Sequence, residues 1–237
     1  MSEYQYFEFQ AIDRPLNKNE MAELRSYSTR ARITTTSFVN DYSWGDFKGD
    51  ADVWMDKYFD AFLYVANWGT HILKLRLPEK LLNAKTARVY AIGEHAAARI
   101  RNGNVILTFL SEHEDGEDSV DSRGLLASLI SVRAELARGD LRALYLGWLL
   151  CMQNGELDVD SLAPPVPAAG LTKLSASLTS LVEFLRVDKA LVRASAKAAA
   201  NVTQSKERLG RGVAQRSAKP RRARVVAETD SSFRKRR

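Results

Sequence analysis

Residues 44–69 read WGDFKGDADVWMDKYFDAFLYVANWG and hold three of the four tryptophans together with the densest aromatic run in the chain. Asp50 is a residue type that caps helix N-termini, and Gly69 tolerates the left-handed backbone found just past a last helical turn. Between them, Met55, Phe62 and their neighbours fall on one helical face. The stretch therefore predicts a helix of about 17 residues that forms the core of its domain.

Shorter patterns on either side of this stretch indicate strands and a second helix. Residues 4–12, 32–39 and 71–77 are aromatic, β-branched or alternating in polarity, as is typical of strands. Asn17 followed by Glu20 has the spacing of a capping box, which predicts that a short helix begins there.

The dipeptide Asn102-Gly103 joins two strand-like runs, 96–101 and 104–110. Both residues accept the positive φ angles of a two-residue hairpin turn. The resulting register places Ile100 opposite Val105.

The C-terminal half has a helical period. Apolar residues repeat at helical spacing in 125–136, 141–152 and 174–185, and Asp188 can cap an alanine-rich helix that runs to about 202. The order of elements predicts the α+β class: an N-terminal mixed sheet with two helices and an added β-hairpin, then an all-helical half and a disordered basic tail. The expected division is an α+β domain at 1–111, an acidic loop at 112–122, a helical region at 123–202 and the disordered tail at 203–237.

The basic residues are unevenly distributed along the 237 residues. The formal charge is +6, but residues 201–237 contain 12 of the 35 basic and 3 of the 29 acidic residues. Residues 1–200 are left with 23 basic and 26 acidic residues, a charge of −3. This pattern predicts a mildly acidic body with a basic appendage.

Several classes of protein are disfavoured by what the sequence lacks. No apolar run reaches the roughly 20 residues that cross a bilayer, and the N-terminus does not resemble a secretory signal, so we expect a cytoplasmic protein. Cys151 is the single cysteine, which excludes an intramolecular disulfide. No phosphate-binding glycine loop, nucleophile elbow or metal-binding histidine spacing occurs, and we expect no cofactor, no metal and no catalytic residue.

One enzymatic alternative stays open at this stage. Asp46, Asp50, Asp52, Asp56 and Asp60 form a cluster of carboxylates, three of them four residues apart on the predicted helix. Such oxygens could hold a divalent cation near Asp46–Asp56. The competing interpretation is a solvated polar face opposite the aromatic stripe.

A protein-binding surface is predicted for the loop WGDFKGD. It carries Trp44, Phe47 and Lys48 among glycines, and exposed aromatic residues beside a cation are typical of binding surfaces. The alternative is that the loop folds its aromatic residues into its own core.

The basic tail suggests non-specific contact with nucleic acid. Its cationic side chains can neutralise phosphates in a salt-sensitive way, although aromatic residues for base stacking are nearly absent. The alternative is that the tail only keeps the chain in solution. The residues expected to contact phosphates are Lys219, Arg221, Arg222, Arg224, Arg234, Lys235, Arg236 and Arg237.

The first 200 residues resemble a family of uncharacterised bacterial proteins. The resemblance is carried by FEFQAIDRPL at 7–16, WGDFKGD at 44–50, YFDAFLYVANWG at 58–69 and GDLRALYLGWL at 139–149. It implies a bacterial, cytoplasmic origin and supplies no catalytic residues. The leading hypothesis from the sequence is a non-enzymatic interaction module that binds a protein partner, with nucleic acid held through the tail.

Overall fold

The computed structural model describes residues 4–113, 122–157, 165–166, 168 and 170–200. The chain divides into two units, and the first, Met1–Ala199, contains every strand and helix described below. The predicted disordered tail at 203–237 and most of the predicted acidic loop lie outside the described residues.

The first unit alternates strands and helices and then becomes helical. The strands are β1 (Gln5–Gln10), β2 (Arg32–Ile33), β3 (Ser37–Tyr42), β4 (Ala61–Ala66), β5 (His71–Pro78), β6 (Ala96–Arg101) and β7 (Asn104–Ser111). The helices are α1 (Lys18–Tyr27), α2 (Ala51–Lys57), α3 (Ala84–Tyr90), α4 (Leu125–Leu129), α5 (Ser131–Ala137), α6 (Arg142–Gln153) and α7 (Ala176–Phe184), and residues 189–199 are also helical.

The strands form one sheet in the order β2-β3-β1-β4-β5-β7-β6. All pairings between the named strands are antiparallel, so the prediction of a mixed sheet was wrong in that respect, while the α+β class is confirmed. β1, the first strand in the sequence, lies inside the sheet between β3 and β4. A hairpin links β4 to β5 and another links β6 to β7. Other connections cross over a neighbouring strand; for example, α2 lies in the connection from β3 to β4, which passes β1, and α3 lies in the connection from β5 to β6, which passes β7.

Patterns of a few neighbouring residues predicted several helix and strand positions correctly. The Asn17 side chain accepts the Glu20 N–H and the Glu20 carboxylate accepts the Asn17 N–H, each at 2.9 Å, which completes the capping box. Asn102 and Gly103 have φ angles of 51° and 70°, and Ile100 pairs with Val105 as expected. These predictions are confirmed because each depends on residues close together in sequence.

The long core helix is the largest error of the sequence prediction. α2 begins after the Asp50 cap, as expected, but it ends at Lys57, and the following apolar run is strand β4. Leu63 packs in the core on one face of the sheet and Phe62 in the core on the other. A strand buried on both faces reads as a continuous apolar run, and this run cannot be distinguished by periodicity from a buried helix.

The two faces of the sheet support two cores. One core lies between the sheet and helices α3 to α7 and includes Leu75, Phe109 and a run of nine buried residues, 143–151, in α6. The other lies against α1, α2 and the 43–50 loop and is rich in aromatic residues such as Phe9 and Trp54. In the described part of the chain, no helix is both long and apolar enough to cross a membrane.

Candidate binding cavity

Helices α1 and α2 leave part of their face of the sheet uncovered. Across four strands the side chains of Phe7, Tyr64, Ile72 and Leu110 form one row, since these residues pair directly with one another. Tyr64, Ile72 and Leu110 are only half-buried. The row therefore forms an apolar floor that is not closed by a second layer.

A cavity of about 880 Å³ opens above this floor. The 45–51 segment and Trp68 form its walls. Trp68, in the turn between β4 and β5, is 44% exposed. The lining residues are Gln5, Phe7, Gly45, Asp46, Phe47, Ala51, Phe62, Tyr64, Trp68, Ile72 and Lys74.

The wall formed by the 45–51 segment is fixed by aromatic packing. The Phe47 ring stacks on Phe7 with centroids 4.8 Å apart and meets Trp54 edge-on at 4.8 Å. A side chain at Gly49 would approach the Phe47 ring to 2.6 Å and the Trp54 ring to 2.8 Å, so glycine is required there. The loop is thus anchored at Phe47, and its preceding residues are left on the surface.

The three residues predicted to bind a partner lie in different environments. Phe47 is turned inward and forms part of the cavity wall. Trp44 is 72% exposed, and Lys48 is exposed beside it on a second, smaller cavity. The loop therefore exposes Trp44 and Lys48 and packs Phe47 inward, and partner binding by these residues stays a prediction.

The polar groups of the large cavity carry one uncompensated negative charge. Lys74, the cationic residue of the lining, forms an ion pair with Asp52, and its Nζ lies 2.7 Å from Asp52 Oδ1. The Asp46 carboxylate accepts the Phe47 N–H at 2.7 Å and forms no ion pair with any described residue. Burial, followed by the nearby charge of Asp46, raises the pKa of Tyr64 to about 12, and the neutral Tyr64 hydroxyl donates to Gln5 Oε1 at 3.0 Å.

Two of the predicted carboxylate ligands instead join α2 to the sheet. Asp52 pairs with Lys74 of β5, and Asp56 pairs with Arg99 and Arg101 of β6 at 3.0 and 3.2 Å. Asp52 and Asp56 share a helix face because they are four residues apart. That face meets basic side chains of the two strands; Asp56 is largely buried there, whereas Asp52 is 53% exposed.

The other carboxylates of the cluster also have structural contacts. Asp50 caps α2, its Oδ1 accepting the N–H groups of Asp52 and Val53. Asp60 lies beyond the end of α2, fully buried, so it does not share the helix face assigned to it from the sequence. Its Oδ1 is 2.7 Å from Arg76 Nη2, and its Oδ2 accepts two backbone N–H groups of the segment after β1.

His95 and Cys151 form structural contacts as well. His95 Nδ1 donates to Glu156, whose carboxylate also interacts with the Cys151 thiol. Burial, and then the neighbouring Glu156 carboxylate, raise the pKa of Cys151 to about 12, so the thiol is protonated at neutral pH and is a poor nucleophile. Among the residues the structure describes, no three histidine, cysteine or acidic side chains are grouped to hold a metal ion.

Sequence reasoning missed the residues that make the large cavity a site. Asp46 was considered only as a metal ligand, and Tyr64 and Trp68 only as parts of a helix. The Asn-Trp-Gly sequence at 67–69 was a usable signal, because a tryptophan in a tight turn is difficult to bury. The eight tail residues predicted to bind nucleic acid, Lys219 to Arg237, lie outside the described residues.

Comparison of the chain with protein-family models, with curated protein sequences and with solved structures finds no match. The resemblance to a bacterial family therefore stays a prediction. The function has to be inferred from the cavity and the contacts around it.

Proposed function

We propose that this protein is a non-catalytic binding module that uses the cavity on the open half of its sheet to hold a partner protein. The observation that carries the proposal is the combination of an aromatic floor and walls with the Asp46 carboxylate, which forms no ion pair within the described part of the chain. The cavity volume of about 880 Å³ is large enough for a side chain and the backbone that presents it.

The chemistry of the lining selects a basic side chain of the partner. Aromatic rings attract cations, and Tyr64, Trp68 and Phe47 contribute rings to the lining of the cavity. Asp46 supplies the opposite charge, whereas the charge of Lys74 is compensated by Asp52. A lysine or arginine side chain of a partner segment fits this arrangement best.

The alternative function is an enzyme with a divalent-metal site near Asp46–Asp56. It has less support, because metal binding by Asp52 and Asp56 would require breaking their ion pairs with Lys74 and with Arg99 and Arg101. Calorimetry with Mg²⁺, Mn²⁺ and Ca²⁺ separates the two functions. Binding heat that disappears in Asp56→Asn would favour the enzyme.

The tail adds a second proposed contact, with nucleic acid. Twelve basic residues within 201–237 can attract phosphates without sequence preference. This contact predicts that affinity for DNA falls steeply with salt and that removal of 203–237 abolishes it. If affinity stays unchanged after that removal, the tail has no such role.

The cavity is tested with the full-length chain and defined peptides. A pentapeptide with a central lysine, Ac-AAKAA-NH₂, is titrated in parallel with the same peptide carrying norleucine, and the Trp68 indole resonance is followed by NMR. We expect the lysine peptide to shift this resonance and the norleucine peptide to have little effect. Equal shifts from both peptides would contradict recognition of a cation.

Photo-crosslinking tests whether a protein partner occupies the cavity. A benzoylphenylalanine is placed at position 68 of the full chain and, as a control of similar exposure, at Val89 of α3, which is 53% exposed. We expect a discrete crosslinked protein in a bacterial lysate from position 68 only, lost when Asp46→Asn is added. Identical products from both positions would exclude the cavity as the docking surface.

A further inference from the structure

A second cavity lies on the other side of the 44–48 loop. It has a volume of about 290 Å³ and lies between this loop and the segment that follows α1. This volume is at the small end of the range for ligand sites, so it suits one small ligand or one unit of a polymer.

Two cations line this second cavity without a charged partner. Neither Arg30 nor Lys48 forms an ion pair with any residue in the described part of the chain, in contrast to Lys74, Arg76 and Arg99, which all do. Unpaired cations that converge on a cavity are typical of anion sites, because the charge is then available to a ligand.

An exposed aromatic ring stands beside these cations. The Arg30 guanidinium carbon lies 5.0 Å from the centroid of the Trp44 ring and 5.7 Å from that of Tyr42. This contact orients Trp44 while leaving it 72% exposed. A large aromatic ring held in place on the surface is a platform on which another flat ring can stack.

We infer that this second cavity, lined by Arg30, Trp44 and Lys48, binds a nucleoside phosphate, with the base stacked on Trp44 and the phosphate held by Arg30 and Lys48. The ligand chemistry is shared by a free mononucleotide and by one nucleotide of a single strand. The inference is independent of the proposed protein-binding function, since it concerns a different cavity and a ligand of opposite charge. Asp46 lines both cavities, so its carboxylate repels the phosphate and lowers the affinity for it.

The test uses the full-length chain and four probes: adenosine 5′-monophosphate, adenosine, inorganic phosphate and the single-stranded oligonucleotide dT₁₂. Binding is measured by calorimetry for the wild type and for Trp44→Ala, Arg30→Gln and Lys48→Gln. Arg88→Gln removes an exposed positive charge from α3 and is the matched control. The basic tail is present in every variant, so a difference between variants reports the cavity alone.

We expect the monophosphate or dT₁₂ to bind the wild type and the control equally, and roughly tenfold more weakly to Trp44→Ala and to Arg30→Gln. Binding of the monophosphate identifies the free nucleotide as a ligand. Binding of dT₁₂ alone, if it is weakened in Trp44→Ala, identifies the single strand, because the basic tail is the same in that variant. Inorganic phosphate that binds as well as the monophosphate would overturn the stacking role of Trp44. Affinities that are unchanged in Trp44→Ala and Arg30→Gln, or no binding of any probe, would overturn the site. Unchanged thermal midpoints of the variants show that they remain folded.

Discussion

Arg99 on β6 and Asp56 on α2 form a bidentate ion pair, in which two guanidinium nitrogens each lie 3.0 Å from a carboxylate oxygen. The two residues are 43 positions apart in the chain. The Asp56 side chain is largely buried, and Arg101 adds a second cationic group at 3.2 Å. The short helix α2 is therefore held against the sheet by ion pairs on one side and by aromatic packing on the other.

This pair should show measurable coupling. In a double-mutant cycle with Asp56→Ala and Arg99→Ala, we expect a coupling free energy of about 1 kcal/mol, because the contact is bidentate and partly shielded from water. The control is the pair Lys189–Glu183, 3.4 Å apart with both side chains about 60% exposed, for which we expect about 0–0.5 kcal/mol. Urea unfolding measures both. Equal coupling in the two pairs would mean that burial of Asp56 adds nothing.

Substitution of Asp60 should lower the free energy of unfolding by far more than the coupling energy of the Asp56–Arg99 pair. Asp60→Asn removes the charge that balances Arg76 and replaces one acceptor oxygen at a fully buried position, so we expect a loss of about 3–5 kcal/mol in the free energy of unfolding. Asp41→Asn, at an exposed position on β3, is the control and should change stability by less than about 0.5 kcal/mol. Similar denaturation midpoints for the two variants would refute the central role of Asp60.

Gly147 of α6 should not tolerate alanine. An added Cβ would lie 2.6 Å from the Phe109 ring and 3.0 Å from Ala96 Cβ. We expect Gly147→Ala to destabilise the fold by about 1–3 kcal/mol, despite the better helix propensity of alanine. Adding Phe109→Leu should restore part of the loss by removing the clash. A single variant more stable than the wild type would show that propensity outweighs packing here.

Stability at acid pH should depend on Glu156. Burial alone raises the pKa of this carboxyl, but hydrogen bonds from His95 and Cys151 outweigh it and hold the pKa below its ordinary value of 4.5. A lowered pKa in the folded state means that the ionised carboxylate stabilises the fold at neutral pH, and that this contribution is lost as the pH falls below about 4.5. We expect Glu156→Gln to be less stable at pH 7 and to lose less on acidification, measured by urea midpoints between pH 7 and pH 3. Parallel pH profiles for the two proteins would contradict this.

Removal of the Asp46 charge should change the ligand affinities of the two cavities in opposite directions. Asp46→Asn removes the charge that attracts a basic side chain in the large cavity and repels a phosphate in the small one. We expect the lysine peptide to bind several-fold more weakly and adenosine monophosphate several-fold more tightly. Titration of each probe into wild type and variant measures the two changes. Changes of the same sign would show that Asp46 acts through the loop conformation and not through its charge.

The parts of the fold that the sequence predicted are those with local causes. The caps at Asn17 and Asp50 and the Asn102-Gly103 turn depend on side-chain and backbone preferences within a few residues. Strand β4 was mistaken for a helix because it is buried on both faces. The elements that cover those faces come from other parts of the chain.

The site could not be predicted in the same way. The large cavity exists because α1 and α2 leave the row from Phe7 to Leu110 uncovered, and no local pattern encodes where a covering layer ends. Similarly, the pairing of Asp52 and Asp56 with β5 and β6 residues decides that these carboxylates stabilise the fold. In sequence alone, the same residues were also compatible with a metal site.

The nine consecutive buried residues of α6 have a consequence for hydrogen exchange. A helix enclosed on most of its circumference cannot open its amides by local fluctuation, so their exchange requires unfolding of the whole first unit. The slowest amides of α6 therefore measure global stability, whereas amides of the exposed 44–46 segment report local opening. Comparing the two groups in one exchange experiment would separate ligand effects on the cavities from effects on the fold as a whole.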